Sequence, residues 1–206
     1  MYVLSKDKVL TILGSLCEGQ SIRSLERQTG VNRNTIMSWL VRAGTACEVA
    51  SKRILKELKV NYVQADELHS FIGRKTTDPA LVGNRDIPTA YRLMQDVRRR
   101  TIGTFQLTTD GHPMYRDAAE LAFGSEINFG QLLKVYSGDE LVRASPVVVA
   151  GTPDVKKINT SYVERNNLTM RMSVRRLTRK TSAFSKTVSN HVAALHVYFA
   201  YYNFCR

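Results

Sequence analysis

The N-terminal apolar residues repeat at helical spacing, and residues that begin and end helices interrupt them. The apolar positions of residues 7–17 predict one packed helix. Ser21 can cap a second short helix that ends at Gly30, and Asn32 can cap a third helix over residues 33–44. Three short helices with a glycine turn between the last two predict a helix-turn-helix unit over residues 1–45.

The polar side of the third predicted helix suggests a role for this unit. Arginine and asparagine read guanine and adenine edges in the major groove, and arginine also binds phosphate. A solvated basic face on an ordinary three-helix unit is the alternative. An amphipathic helix predicted over residues 46–59 would be a connector or a surface for self-association. The candidate DNA-binding residues are Arg33, Asn34, Ser38 and Arg42.

The middle of the chain alternates between strand and helix patterns. Pro88 stands at the start of one helix, as proline does at first helical turns. Such alternation predicts an α/β domain with parallel strands, covering residues 60–206. The strands are predicted over residues 61–73, 105–109 and 127–136, and the helices over residues 88–100 and 113–123.

Two carboxylates lie within or at the end of predicted strands. Asp66 falls inside the first strand, and Asp110 ends the second. Because chemistry collects where strands of such sheets end, these side chains could converge. By spacing alone, Asp66 could equally be a structural carboxylate, and Asp110 could equally form an Asp-Gly turn.

Residues 161–176 predict a further helix with two faces. At 100° per residue, Glu164, Arg171 and Arg175 share a polar face. A carboxylate followed by arginines could hold a metal at one end and phosphates along its length, although a solvated face with a stray glutamate is the alternative. The buried stripe is predicted to contain Val163, Met170, Val174 and Leu177.

Charge is unevenly distributed along the 206 residues, whose net charge is +12. Residues 1–59 carry +5, residues 60–155 carry −2, and residues 156–206 carry +9 with Glu164 as their one acidic residue. Basic ends around an acidic middle indicate a polyanionic partner at the ends and a cation-binding or catalytic middle. The three scattered cysteines favour neither zinc nor disulfides, so we expect a reducing cytosol. Residues 191–205 are apolar and aromatic but too short for a membrane span, and they predict a core-packing helix.

Several pieces together resemble a known family. They are SIRSLERQTGVNRNTIMSWLVRAG, QADELHSFIGRK, QLTTDGH, INFGQLLKVY and TSYVERNNLTMRMSVRRLTRKTSAFSK, and they extend over nearly the whole chain. They resemble transposases of bacterial insertion sequences, of the IS-one-like DDE group. The resemblance implies an N-terminal helix-turn-helix and a ribonuclease-H-like catalytic domain. It also implies a bacterial cytoplasmic protein associated with the nucleoid.

The resemblance assigns roles to particular residues. It implies a catalytic and metal-binding triad of Asp66, Asp110 and Glu164, with Arg171 near the scissile phosphate. Such enzymes use Mg²⁺ or Mn²⁺, which take hard oxygen ligands. Double-stranded DNA, comprising element ends and target, is the implied partner, and bringing two ends together implies a homo-oligomer. The residues expected to follow the duplex backbone are Arg175, Arg176, Arg179 and Lys180.

Two departures from the family pattern leave alternatives open. Only residues 75–87 stand where relatives have a two-stranded hairpin, and relatives continue beyond Arg206 into a basic tail. A shortened, catalytically decayed transposase, or a helix-turn-helix repressor that binds DNA without cleaving it, is therefore the alternative. A ribonuclease-H-like nuclease or resolvase fits the carboxylates but explains the N-terminal unit less well.

Overall fold

The computed structural model describes residues 4–68, 70, 86–178 and 182–205. Contacts divide these residues into two compact units. The first unit comprises the described parts of residues 1–54, 69–82 and 167–206, and the second those of 55–68 and 83–166. Each unit is described by itself below.

Three helices open the first unit: α1 (Lys6–Cys17), α2 (Ile22–Thr29) and α3 (Arg33–Ile54). As predicted, the Ser21 side chain caps α2 by accepting from the Ser24 amide, and Gly30 ends it with φ of 68°. Only glycine adopts that left-handed conformation without strain. The apolar faces of the three helices meet in one core, which contains Leu4, Val9, Ile12, Leu25, Val31 and Ile36.

Helix α3 differs from the prediction of two separate helices. It continues past Gly44 to Ile54, and Leu58–Lys59 form the short strand β1. Gly44 is buried, and a Cβ built there would lie 2.5 Å from the Ala193 Cα. The glycine therefore allows close helix packing, which offsets the roughly 1 kcal/mol that it costs in helix propensity.

The C-terminal part of the first unit contains helix α7 (Val188–Phe204) and a short 3₁₀ turn, Arg175–Leu177. A buried polar network joins these segments. His191 is hydrogen-bonded to Ser70 through Nε2 and to Ser185 through Nδ1, both at 3.1 Å. Burial is the main reason that the pKa of His191 is lowered to about 4, and the Arg176 charge adds to it.

The second unit contains a four-stranded mixed sheet and a separate two-stranded pair. Within the described residues the order of the larger sheet is β2-β4-β5-β6, with β2, β4 and β5 parallel and β6 antiparallel to β5. Strand β1 pairs in parallel with β3. The strands are β2 (Tyr62–Ala65), β3 (Thr101–Ile102), β4 (Gln106–Asp110), β5 (Asn128–Ser137) and β6 (Glu140–Ala150).

Two helices cover one face of the larger sheet, and both confirm the sequence pattern. They are α4 (Ile87–Arg100) and α5 (Met114–Phe123). Their apolar side chains pack against alternate residues of the strands, since successive residues of a strand point to opposite faces. Members of this core include Ala65, Met94, Leu107, Tyr115, Ala118 and Phe129. The α/β prediction is thereby confirmed.

Helix α6 (Ser161–Ser173) contributes residues 161–166 to the second unit and residues 167–173 to the first. It is shorter than predicted, because the chain leaves the α-helical path at Val174. Met170, Val174 and Leu177 are buried as predicted, but the last two lie beyond the helix. Arg175 therefore does not share one helical face with Glu164, and that prediction is wrong.

Candidate carboxylate site

Strand pairing brings the first two predicted carboxylates to the same edge of the sheet. Strand β2 pairs with β4 so that Ala65 is opposite Thr109. Asp66 follows the last residue of β2, rather than lying inside a strand as predicted, and Asp110 is the last residue of β4. Continuing the register by one residue puts the two aspartates side by side at the carboxyl ends of neighbouring parallel strands. The topology therefore provides the convergence that spacing alone left open.

A third carboxylate that the sequence interpretation did not select joins them. One carboxylate oxygen each from Asp66, Glu67 and Asp110 lies within 4.8 Å of the others, and all three residues are half-buried. Asp66 Oδ1 accepts from the Glu67 amide at 2.8 Å, and Asp110 Oδ1 accepts from the His112 amide at 3.1 Å. These bonds fix both aspartates to the local backbone. The adjacent acids of the DE pair are the sequence signal for Glu67.

Charge interactions show that the carboxylates and a lysine share one environment. Burial is the largest cause of the raised pKa of Asp66, and the charges of Asp110 and Glu164 raise it further. The hydrogen bond from the Glu67 amide and the charge of Lys134 act in the opposite direction. Because the raised pKa shows that the ionised form of Asp66 is disfavoured here, an approaching cation would stabilise that ionised form.

Glu164 lies near this cluster but has other hydrogen-bond partners. Its Oε1 accepts from the Lys134 ammonium, and it also accepts from Thr160 Oγ1 at 2.6 Å. Burial by itself raises the pKa of Glu164, but the hydrogen bonds from Lys134 and Thr160 outweigh it and lower that pKa. The structure therefore brings Asp66 and Asp110 together with Glu67, while Glu164 is ion-paired with Lys134.

The helix that carries Glu164 is anchored by a side chain two residues before Asp66. Gln64 Oε1 accepts from the amides of Tyr162 and Val163, both at 3.0 Å, and its Nε2 donates to Asn159 Oδ1 at 3.0 Å. The first amides of a helix have no partner inside the helix, so a remote acceptor can cap them. Gln64 thus connects the strand of Asp66 to the helix of Glu164.

A second glutamine holds the segment that leads into this helix. Gln106 Oε1 accepts from the Asp154 amide at 2.8 Å, and Gln106 Nε2 donates to the Asp154 carbonyl at 3.1 Å. Gln64 and Gln106 lie on neighbouring strands and on the sheet face opposite α4 and α5. Neither glutamine was selected from the sequence, because each acts through contacts with a segment far away in sequence.

Tyr115 lies beneath the acidic cluster. Its side chain is only 1 % exposed, and its hydroxyl is hydrogen-bonded to Glu67. Burial is the main cause of its raised pKa, followed by the charges of Glu67, Asp110 and Asp66. Tyr115 therefore remains a neutral donor that orients Glu67.

The predicted DNA-reading residues of α3 are all exposed: Arg33, Asn34, Ser38 and Arg42. The Arg33 amide donates to Glu26 Oε1 at 2.9 Å, and the Arg42 guanidinium lies 4.3 Å from the centre of the Trp39 ring. The backbone of Arg33 and the side chain of Arg42 therefore each have a defined local contact, and both residues lie on an exposed helix surface.

The remaining predicted basic residues have different surroundings. Arg171 is half-buried in α6, and Arg175 is exposed in the 3₁₀ turn. The Arg176 guanidinium donates to Ser185 Oγ at 3.0 Å and to a main-chain carbonyl, and burial lowers its pKa. These contacts give Arg176 a structural role within the first unit, and its contact with DNA stays a prediction. Arg179 and Lys180 lie outside the described residues.

The donor set fits a hard divalent cation. Mg²⁺ and Mn²⁺ prefer carboxylate oxygens and water, and one or two protein carboxylates commonly suffice for Mg²⁺. Asp66, Glu67 and Asp110 offer such oxygens within one small region, and Glu164 is near enough to raise the Asp66 pKa. The class defined by this geometry is an α/β protein with an acidic, metal-compatible site at the carboxyl ends of parallel strands.

Comparison with known proteins narrows that class. The model of the IS1 transposase family matches residues 136–205, which include Glu164 and Arg171 but not Asp66 or Asp110. This match supports an IS1-like transposase, as the sequence resemblance predicted. No curated protein and no solved structure matches the chain. None of the helices in the described residues combines the length and apolar character needed to cross a bilayer.

Proposed function

We propose that this protein is a DDE-type DNA transposase that binds insertion-sequence ends and carries out strand cleavage and transfer with Mg²⁺ or Mn²⁺. One observation carries the proposal: Asp66 and Asp110 meet at neighbouring parallel strand ends, and Gln64 anchors the helix of Glu164 beside them. The family match supports the reaction class independently. The three parallel strands of the second unit support a ribonuclease-H-like fold for the catalytic part of the chain.

In this proposal the carboxylates hold divalent cations at the scissile phosphate. Asp66 is central, because it is next to Asp110 and within charge range of Glu164. Bound cations would activate the attacking oxygen and stabilise charge on the phosphate oxygens. The protein contributes orientation: the backbone amides fix the aspartates, and Tyr115 orients Glu67.

The basic residues of the first unit would bind DNA. Exposed Arg33 and Asn34 on α3 would read bases of the element ends, consistent with a helix-turn-helix unit within residues 1–45. Arg171 and Arg175 would bind backbone phosphates. Because two ends must be joined to one target, we propose that the protein acts as a homo-oligomer on DNA in the bacterial cytoplasm.

A strand-transfer assay with pre-cut element ends tests the proposal. Asp110→Asn and Glu164→Gln should each reduce Mn²⁺-dependent joining about a hundredfold or more, because catalytic groups act as a unit. Matched controls are Asp139→Asn and Glu120→Gln, which remove exposed charges elsewhere. End binding should remain nearly unchanged in all four variants. Full joining by Asp110→Asn would refute the assignment.

The second candidate is a DNA-binding protein without catalysis. The observation that favours it is the position of Glu164, which is ion-paired with Lys134 and does not complete the three-acid cluster. The same assay separates the candidates: if wild type binds element ends but joins none in Mn²⁺, the non-catalytic function is correct. Replacing Arg33 and Asn34 with alanine should weaken discrimination between terminal and random DNA in either case.

A further inference from the structure

A lysine ammonium occupies part of the acidic site. Lys134 Nζ contacts Glu164 Oε1, the same oxygen that accepts from Thr160. Among the described residues, no hydrogen bond reaches the other carboxylate oxygen of Glu164, Oε2. The Lys134 side chain is 19 % exposed and that of Glu164 is 46 % exposed. Glu164 is therefore accessible to solvent and to an incoming ligand, whereas most of the Lys134 side chain is covered.

Sheet register explains why this lysine reaches the acids. Leu132 of β5 is opposite Asp110 of β4, and Lys134 lies two residues further along β5. Residues two apart in a strand share a face, so Lys134 and Asp110 lie on the same face of the sheet. Its charge also reaches Asp66, whose pKa it lowers. The Lys134 ammonium thus interacts with two of the carboxylates assigned to metal binding, Glu164 and Asp66.

Electrostatics makes this arrangement sensitive to a bound cation. Clustered carboxylates repel one another, and the Lys134 ammonium offsets part of that repulsion. A divalent cation at the same carboxylates would repel the ammonium. Lysine is flexible and binds phosphate as a point charge, so a released Lys134 could turn to a nearby DNA phosphate.

We propose that Lys134 is a positioning residue for Glu164, an inference that rests on the proposed function. It holds that carboxylate in the metal-free protein, releases it when a divalent cation binds, and then contacts the DNA backbone. Thr160 keeps its own hydrogen bond to Glu164 throughout, so the carboxylate stays in place when Lys134 leaves.

The first test measures Mn²⁺ affinity of the full DNA-free chain by electron paramagnetic resonance. Lys134→Met keeps the aliphatic stem and removes the competing charge, so the Kd for Mn²⁺ should fall about fivefold, the upper range for an exposed ion pair. Lys156→Met is the control, since it removes an exposed positive charge elsewhere in the same unit. The Kd of Lys156→Met for Mn²⁺ should stay within about twofold of the wild-type value, because salt screens the interaction between distant charges.

A double-mutant cycle distinguishes release of Glu164 from a general charge effect. In a Glu164→Gln background the added effect of Lys134→Met should shrink to the part that comes from the Lys134 charge near Asp66, because the carboxylate that Lys134 contacts directly is gone. An equal gain in both backgrounds, or no gain in either, would overturn the proposal. Circular dichroism melts would verify that every variant is folded.

The second test measures binding to a short random-sequence duplex. Lys134→Met should weaken binding in Mn²⁺ and leave it unchanged in EDTA, whereas Lys134→Arg should retain binding in both. Equal weakening in both conditions would overturn the released-lysine step. Asp66→Asn separates the two hypotheses: if it leaves Mn²⁺ affinity unchanged, the metal site itself is wrong. If Asp66→Asn abolishes Mn²⁺ binding while Lys134→Met changes neither Mn²⁺ affinity nor DNA binding, only the role of Lys134 is wrong.

Discussion

Anchoring of α6 by Gln64 can be tested with a substitution of similar size. Gln64→Leu removes the acceptor of the Tyr162 and Val163 amides and the donor to Asn159. Losing a helix cap costs about 0.5–2 kcal/mol, and each amide left unpaired and shielded from water adds about 1–3 kcal/mol. Because this site is only partly buried, water can replace some of the lost bonding. We therefore expect the variant to be less stable by about 1–2 kcal/mol.

Two measurements check this value. The melting temperature should fall by about 2–8 °C, given about 2–4 °C per kcal/mol for a chain of this size. Hydrogen exchange followed by mass spectrometry should show about 5- to 30-fold faster exchange in the first turn of α6, which corresponds to the same free energy. Strand transfer should fall as well, because this turn carries Glu164.

Control variants define what would refute the reasoning. Gln28→Leu changes an exposed glutamine on α2 and should alter stability by no more than about 0.5 kcal/mol. Gln64→Glu keeps an acceptor facing the helix N-terminus, where negative charge is favourable, and should retain slow exchange. Normal exchange in Gln64→Leu would refute the anchor. Equal losses in Gln64→Leu and Gln64→Glu would assign the effect to the Asn159 bond.

Two further predictions concern the first unit. His191 has a pKa of about 4 when folded, below its ordinary 6.5, so the unfolded chain binds its proton first as pH falls. Its contribution should be complete above pH 6.5 and should decline by about 2 kcal/mol between pH 7 and pH 5, a slope that urea titrations should find reduced in His191→Gln. Gly44→Ala should destabilise the unit by about 1–3 kcal/mol in the same titration, because its Cβ would lie 2.5 Å from the Ala193 Cα. A wild-type melting temperature in Gly44→Ala would contradict the close packing.

Local patterns predicted most elements of the fold. Helices α1, α2, α4 and α5 were found near their predicted positions because each combines an apolar stripe with a recognisable start or end. Strands β4 and β5 were found because they contain residues that favour strands, Thr in β4 and Phe, Val and Tyr in β5, and are bounded by turn residues.

Strand β6 was not predicted. It contains Pro146, and most of its side chains are exposed or half-buried, so no apolar alternation marks it. What forms it is antiparallel pairing with β5 through a turn at Gly138, whose φ is 61°. Pairing of this kind depends on a partner strand rather than on the strand's own sequence.

The carboxylate site was predicted only in part, for a related reason. The residues Asp66, Asp110 and Glu164 could be proposed because a resemblance connected segments that are far apart in sequence. Their supporting residues could not, because Gln64 and Lys134 act through contacts that only the sheet register creates. A glutamine or lysine in a strand has no pattern of its own that announces such a role.

Because Gln64 lies two residues before Asp66, assembly of the site depends on a single pairing register between β2 and β4. Both side chains use the same face of β2, so a shift of that strand by one residue against β4 would turn both to the opposite face. The shift would remove the anchor of α6 and the proposed metal ligand together. A single residue inserted between Gln64 and Asp66 should therefore be more damaging than substitution of either one.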